Sequence, residues 1–526
     1  MTAHRKPRVY WRGAFFTNSS LAIVNRRLVG AMIDRGNVDI SIGTDPLSPT
    51  VLPEDFRRIA DHTSFGACDA DVVVTHEWPP RFAAPANSRY VHVQPWEYGS
   101  MPVTWFDALH DDCDDVWVHS SYNKSCYVEA GLDADRIAVV PHGVDLRVFN
   151  PEGPAMAIDD ERFRFVFVGA TIPRKGIDLL VNAYISTFTA NDRIALMIKD
   201  ADTGSYRNQT RNAELRALSG RRDLPRIEYV DQTVPDEAIA QIYRGSSCLV
   251  LPYRGEGFGL PVIEAMACGI PAIVTAGGST DDAVDDEVGW RIPSTRLNVD
   301  PAIVPLPTKT LPWTLEPDAG ALGALMRYAY EHGDEVRERG TRAARRIREG
   351  WTWDHAAAVA ETRLLWVLER DAVPPSHRQK RYAEAAPYAE RIFGTSELDG
   401  VILELFRRLG TVGPYYVEVT RGDFSAAPTL ARGVSWPGIA IVDGAASEIA
   451  RRVSDSACLN ELDFLSLDCN DTIAAFEAVR RYRPRVVACA GSAPLDSGYS
   501  CIARSKNGEY LFVRNDLVAR AGFEPA

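Results

Sequence analysis

Short apolar runs alternate with longer amphipathic stretches through the first three hundred residues. Val72–Val74, Tyr90–Val93, Val116–Val118 and Ile137–Val140 are each bounded by polar or turn residues, which predicts buried strands. The last of these runs into Pro141-His-Gly-Val-Asp145. From Asp145 to Asp160, Pro151, Gly153 and Pro154 mark a linker. A second series starts at Phe163. Strands are predicted at Phe165–Val168, Ile194–Ile198, Ile227–Val230, Cys248–Leu251 and Ala272–Val274, with helices over Gly176–Phe188 and near Asn208–Leu218. Strands alternating with helices predict a parallel sheet covered on both faces, with ligands at the carboxyl ends of its strands. Two such units predict two doubly wound α/β lobes around a central cleft.

The rhythm breaks at 294–318, where Pro301, Pro305, Pro307 and Pro312 predict an irregular insertion. Helical spacing returns from Ala319 to Trp366. Strands at Tyr415–Val419, Ile439–Val442, Phe464–Leu467 and Val486–Ala488 then predict a third α/β unit. The expected division is a first lobe over 1–150, a second over 151–350, and a helix over 351–372 packing back toward the first. A basic linker over 373–395 leads to a C-terminal domain over 396–526.

Composition narrows the class. With 46% hydrophobic and 25% charged residues the chain reads as globular, and no run of eighteen apolar residues is present to span a membrane. The basic N-terminal stretch lacks a long apolar core behind it, so no secretory signal is expected. A net charge of −13 argues against a general nucleic-acid binder. Nine scattered cysteines, never as C-x-x-C, fit reduced thiols and a cytoplasmic location.

The richest chemistry lies in Tyr253-Arg-Gly-Glu-Gly-Phe-Gly-Leu-Pro-Val-Ile-Glu264. A glycine-rich loop follows a strand and opens a helix near Pro261, and backbone N–H groups at a helix start form an anion site. Gly257 and Gly259 carry no Cβ, so a diphosphate or sugar can approach the backbone. The spacing departs from G-x-G-x-x-G, which argues against a nicotinamide site. Glu256 and Glu264 offer two carboxylates, one facing sugar hydroxyls and one a ribose diol.

These residues resemble the E-x7-E motif of retaining GT-B glycosyltransferases, family GT4 in particular. The resemblance implies that Glu256 lies beside the transferred sugar and Glu264 binds the nucleotide ribose. Backbone N–H groups of Phe258, Gly259 and Leu260 would hold sugar and diphosphate. Phe167-Val-Gly-Ala-Thr-Ile-Pro-Arg-Lys-Gly176 resembles the family's diphosphate clamp, which gives Arg174 and Lys175 that role. Ala170 departs from the pattern where many relatives carry Arg, and Arg174 is the residue that could compensate. Tyr90 to Asp145 resembles the family's first lobe and hinge. Gln94 stands where many members place a sugar-contacting His, with Glu97 and His76 as alternatives. The loop Arg12–Ser20 matches the first-strand loop, with Gly13 facing diphosphate and acceptor and Ser19 or Ser20 as N-cap.

The resemblance implies a metal-independent hexosyltransferase-like enzyme that retains anomeric configuration. It would use a nucleotide-diphosphate sugar donor and a glycan, glycolipid or small-molecule acceptor, with no cofactor. Donor base, sugar, acceptor, oligomeric state and peripheral membrane contact stay open. Asp112-Cys-Asp114 fits the D-x-D string of metal-dependent glycosyltransferases, but it precedes a strand and reads as a solvated acidic face. The C-terminal unit resembles FkbM-type, S-adenosylmethionine-dependent methyltransferases through Tyr416-Val-Glu-Val-Thr and Asp463–Asp471. Thr420 stands where a glycine is usual, so a degenerate domain competes with a bifunctional enzyme. The contrasting reading of the whole chain is a non-catalytic carbohydrate-binding or scaffolding protein on a GT-B frame.

Overall fold

The computed structural model describes residues 5–370 apart from 18, 44–58, 64–69, 81, 83, 86–87, 157–160, 201–211, 301–303 and 305. Beyond 370 it describes Pro484 and six strands.

The first apolar runs form a six-stranded parallel sheet of β1 (Arg8–Gly13), β2 (Asp39–Gly43), β3 (Val72–His76), β4 (Arg89–Val93), β5 (Asp115–Val118) and β6 (Ile137–Val139), in the order β2-β1-β3-β4-β5-β6. Helices among its described residues include α1 (Ser20–Arg35), α2 (Val103–Asp111) and α3 (Ser121–Glu129). Successive side chains of a strand point to opposite faces. Accordingly, Val9 and Trp11 join one core with Val24, Leu28 and Met32 of α1, while Tyr10 joins another with Trp105 of α2 and Tyr127 of α3. Burial on both faces is why these strands read as nearly continuous apolar runs. Ser19 caps α1 by accepting from the Ala22 N–H at 3.2 Å, and Gly36 ends the helix in the left-handed region.

The second series forms β7 (Phe163–Gly169), β8 (Ile194–Asp200), β9 (Arg226–Val230), β10 (Cys248–Leu251), β11 (Ala272–Thr275) and β12 (Gly289–Ile292), in the order β12-β11-β10-β7-β8-β9. Its helices are α4 (Ile177–Thr187), α5 (Asn212–Ser219), α6 (Asp236–Arg244) and α7 (Leu260–Ala267). The expected helix near Asn208–Leu218 corresponds to α5, and 208–211 lie outside the described residues.

Chain order reverses between β1 and β3 in the first sheet and between β7 and β10 in the second. Such switch points open a crevice at the carboxyl ends of the strands. The loops after Gly13, His76, Gly169 and Leu251 therefore line these carboxyl-end crevices of the two lobes.

The chain crosses between the lobes twice. Residues 140–150 lead out of the first lobe. After α8 (Ala319–Glu331) and α9 (Gly333–Gly350) it returns beside them, where the Val144 N–H donates to the Trp351 carbonyl at 2.9 Å. α10 (Trp353–Glu369) then packs on α1, tied by Arg35 to Glu361 at 2.9 Å and Arg363 to Asp115 at 2.7 Å.

Two expectations are corrected. Residues 294–318 are no irregular insertion: β13 (Ser294–Asn298) and β14 (Trp313–Pro317) form an antiparallel ribbon. Pro307 and Pro312 fall in its connection, clear of the strands, and Pro301 and Pro305 lie outside the described residues. This arm reaches into the first lobe, where the Gly99 N–H donates to the Trp313 carbonyl and Lys309 N–H to the Met101 carbonyl, both at 2.9 Å. Trp313 and Leu315 join the core around Trp96 and Trp105.

The acidic run Asp111–Asp115 is also no solvated face. Asp112 and Asp115 are buried, and Asp114 accepts from the Tyr90 N–H at 2.7 Å. Asp115 binds both Arg363 and the Trp117 indole N–H. Asp114 and Asp115 anchor the start of β5, satisfying donors that burial would otherwise strand.

The C-terminal strands form one sheet: β15 (Tyr416–Thr420), β16 (Gly438–Val442), β17 (Phe464–Asp468), β18 (Val486–Ala490), β19 (Tyr499–Arg504) and β20 (Glu509–Arg514), in the order β16-β15-β17-β18-β20-β19. β20 runs antiparallel to both neighbours, and the sequence reading missed β19 and β20. The linker 373–395 and the loop after Thr420 lie outside the described residues.

Candidate functional site

At the switch point of the second sheet, the loops after β7 and β10 are joined backbone to backbone. The Arg254 and Gly255 N–H groups donate to the Arg174 carbonyl at 2.7 and 3.3 Å, and the Arg174 guanidinium donates to the Gly255 carbonyl at 2.6 Å. Gly176, at φ 72°, makes the approach possible, because a Cβ there would lie 1.9 Å from the Pro252 carbonyl oxygen. Arg254 reinforces the junction by bridging Asp178 of α4 at 2.8 Å and Glu316 of β14 at 2.6 Å.

This junction brings Lys175 onto Glu256 as an ion pair, with both side chains largely buried. Burial alone would raise the Glu256 carboxyl. Lys175, Arg174 and the Phe258 N–H outweigh it and hold the group below its usual range, so it is a carboxylate at neutral pH. The Phe258 N–H is thus turned partly toward Glu256. Arg174 extends its other amino group to Glu97 of the first lobe at 3.5 Å.

α7 starts at Leu260 behind Gly259, whose φ of 97° suits glycine, with a proline in its first turn. Its N-terminus adds exposed backbone dipoles beside the pair. The three loop glycines differ in purpose. A Cβ on Gly255 would lie 2.3 Å from the Glu97 carbonyl oxygen, and one on Gly259 2.9 Å from Thr280. A Cβ on Gly257 would make only ordinary contacts, the nearest 3.4 Å from Pro95. Glu264, one turn into α7, accepts from the Tyr243 hydroxyl at 3.1 Å. Burial, aided by Asp236, pushes its carboxyl up to about 7.

The first lobe answers with Gly13 and His76, which stand opposite each other in the β1–β3 register. A Cβ on Gly13 would lie 2.3 Å from the His76 carbonyl oxygen, so glycine there is a packing requirement. His76 packs edge-on against His119 at 5.5 Å between ring centroids, and His119 lies 4.0 Å from His142. His142 in turn lies 4.4 Å from Phe258. Burial pushes all three imidazoles below their usual range, His119 to about 4, so they are neutral at pH 7. Among the described residues, His76 Nε2, His119 Nε2 and both His142 ring nitrogens have no hydrogen-bond partner. Ser120 donates to the Gly257 carbonyl at 3.0 Å, and the Ser121 N–H donates to Asp282 at 2.7 Å. These contacts seat α3 directly on the glycine loop.

Gln94 is elsewhere engaged. Its amide oxygen faces His92 Nε2 at 3.1 Å, its amide nitrogen donates to the Pro95 carbonyl, and it is buried. The tertiary structure thus brings Arg174, Lys175, Glu256, Gly257, Phe258, Gly259 and Leu260 together, with Glu264 one turn deeper. Gly13 lies on the facing edge, and Gln94 sits inside the first lobe. Sequence reasoning passed over His119, His142 and Ser120. Their signal was position, since each follows the end of an apolar run.

Among the described residues no group of three or more His, Cys, Asp or Glu is arranged to hold a metal ion. No described helix is long and apolar enough to cross a membrane.

Residues 152–300 match the family model "Glycosyl transferases group 1". The D-inositol 3-phosphate glycosyltransferase of Frankia alni is 33% identical over 180 residues, 32% of this chain and 43% of that protein. The Jonesia denitrificans protein of the same name is 29% identical over 255 residues, 46% of this chain and 54% of that one. The chain thus spans about half the length of these curated relatives or less. Among solved structures, sucrose-phosphate synthase from Thermosynechococcus elongatus is 18% identical with a TM-score of 0.50, covering 69% of this chain and 99% of that one. A glycosyltransferase from Rickettsia africae is 14% identical with a TM-score of 0.51, covering 70% and 100%. Anabaena HepE in complex with UDP and glucose is 12% identical with a TM-score of 0.50, covering 68% and 100%. Residues 152–300 therefore resemble the glycosyl transferases group 1 family, within a chain whose two lobes have the GT-B fold.

Proposed function

We propose that this chain is a retaining, metal-independent glycosyltransferase of GT4 type, working in the cytoplasm. It moves a sugar from a nucleotide-diphosphate donor to a hydroxyl of a glycan, glycolipid or small molecule. The observation that carries the reading is the Lys175–Glu256 pair beside Arg174 and the α7 N-terminus, at the switch point of the second sheet. As the anomeric bond breaks, negative charge grows on the departing diphosphate. Lys175, Arg174 and the N-terminal dipoles of α7 stabilise it there. Glu256, held ionised, accepts from sugar hydroxyls, while Glu264 accepts from the ribose diol. The acceptor attacks on the face the nucleotide leaves, and a donor phosphate oxygen takes its proton, so no protein base is required. Shielding between the lobes limits hydrolysis of the donor.

The test is thermal melting with UDP, GDP, ADP and dTDP. UDP comes first because HepE was solved with it. One nucleotide at a hundredfold over its dissociation constant should add about 2.7 kcal/mol, and Glu264→Ala should abolish the shift. D-inositol 3-phosphate, from the names of the curated relatives, is the first acceptor to try. NMR of the product would read its anomeric configuration. If none of these nucleotides shifts melting, the donor site is not functional and the reading fails.

A further inference from the structure

Most described tryptophans are buried, but Trp78 is 54% exposed and stands two residues past the carboxyl end of β3. An exposed apolar side chain is ordinary on any surface. This one is distinguished by its surroundings. Trp105, itself buried, meets its ring edge-on at 5.8 Å, and Trp96 meets Trp105 at 4.8 Å. Glu97, next to Trp96, reaches Arg174 of the donor clamp at 3.5 Å. Trp78 is therefore the outer end of an aromatic series whose inner end, Trp96, is followed directly in the chain by the residue that pairs with that clamp. The residue before it in the chain, Glu77, pairs with Arg12 at 2.8 Å at the carboxyl ends of β3 and β1, with both side chains largely but not wholly buried.

We propose that Trp78 is an acceptor subsite that stacks on a pyranose ring, with Glu77 and Arg12 receiving that sugar's hydroxyls. The inference rests on the glycosyltransferase reading and narrows it, because it makes the acceptor a saccharide. An indole face is electron-rich and attracts the weakly positive C–H groups on one face of a pyranose. The hydroxyls project around the ring edge and need planar polar partners, which a carboxylate and a guanidinium provide. One aromatic plane beside a few placed polar groups is the make-up of a small-ligand site. A protein-docking or lipid-anchoring surface would instead need a wider apolar patch.

The test compares the full-length protein with Trp78→Ala and Trp78→Phe. Saturation-transfer NMR would be run with methyl glycosides of glucose, galactose, mannose and N-acetylglucosamine, and with their tetrasaccharides. Nucleotide melting shifts, read on all three proteins, serve as the control for folding and for the donor site. The expected result is a signal from the C–H protons of one sugar face. It should weaken about three- to tenfold in affinity for Trp78→Ala and largely survive in Trp78→Phe. Once transfer is established, Trp78→Ala should raise the acceptor KM while leaving kcat nearly unchanged.

A normal nucleotide shift with no Trp78-dependent saccharide signal overturns the inference and leaves the donor reading intact. So does loss of binding to phosphatidylglycerol vesicles in Trp78→Ala without any effect on saccharides, which would make Trp78 a membrane contact. Absence of any nucleotide shift in the wild type overturns the glycosyltransferase reading itself, and this inference with it.

Discussion

Lys175 and Glu256, eighty-one positions apart in the chain, form an ion pair between the loops that follow β7 and β10. Neither charge is free to relax into water, so each conditions the other. Removing the lysine alone leaves a buried carboxylate without its main partner, and Lys175→Met should destabilise the fold by about 3–5 kcal/mol. The double variant Lys175→Met with Glu256→Gln should recover most of that loss. Transfer should not recover with it, because the charge on the departing diphosphate stays uncompensated by about 2–4 kcal/mol. A double-mutant cycle, read by denaturant melting and by turnover, separates the two effects. Recovery of both together would mean that the pair is purely structural.

Glu264 gives a pH signature. Its carboxyl titrates at about 7 in the folded chain against an ordinary 4.5, so between these values the folded state holds a proton that the unfolded state has lost. Its contribution to stability is complete below pH 4.5 and is lost as pH rises through 7. Glu264→Gln removes this dependence, so its melting temperature should gain on the wild type across that window. Parallel melting profiles from pH 4.5 to 7.5 would contradict it.

The loop glycines should separate packing from ligand approach. Gly255→Ala forces a Cβ against the Glu97 carbonyl 2.3 Å away, so the junction must shift and stability should fall by about 1–3 kcal/mol. Gly257→Ala meets nothing closer than 3.4 Å and should melt within about 1 kcal/mol of wild type. On the proposed reading it nevertheless places a methyl group where a sugar or phosphate would near the backbone, so nucleotide affinity should drop. Calorimetric titration of both variants with the nucleotide that stabilises the wild type checks this.

The arm from the second lobe should limit how far the lobes part. Trp313 covers Gly99, where a Cβ would lie 1.7 Å from the indole, and Arg296 packs over the ring at 4.0 Å. Trp313→Ala removes a buried indole and should cost about 3–5 kcal/mol. With its anchor gone, small-angle scattering should record a larger radius of gyration. An unchanged radius, with the stability loss present, would show that the paired crossings at Val144 and Trp351 hold the lobes by themselves.

Much of this protein was legible along the chain because it depends on local periodicity. Apolar runs buried on both faces, punctuated by Gly and Pro, marked most strands of the two lobes, and the segment from Tyr253 to Glu264 was recognisable as a glycine-rich loop leading from a strand into a helix. The ribbon of β13 and β14 escaped because its strands are short and neither alternates, β13 being exposed along nearly its whole length and β14 nearly all buried, and prolines in its connection masked them. Asp112 to Asp115 were misjudged for a related reason: a charge run looks the same in sequence whether water or Arg363 satisfies it. The meeting of Lys175 with Glu256, the clustering of His76, His119 and His142, and the commitment of Gln94 to His92 were decided only in three dimensions. The first joins the ends of two neighbouring strands that are distant in the chain, the second gathers the ends of β3, β5 and β6, and the third pairs side chains two residues apart at the end of β4. Strand order, which no local pattern encodes, determines which of those ends meet.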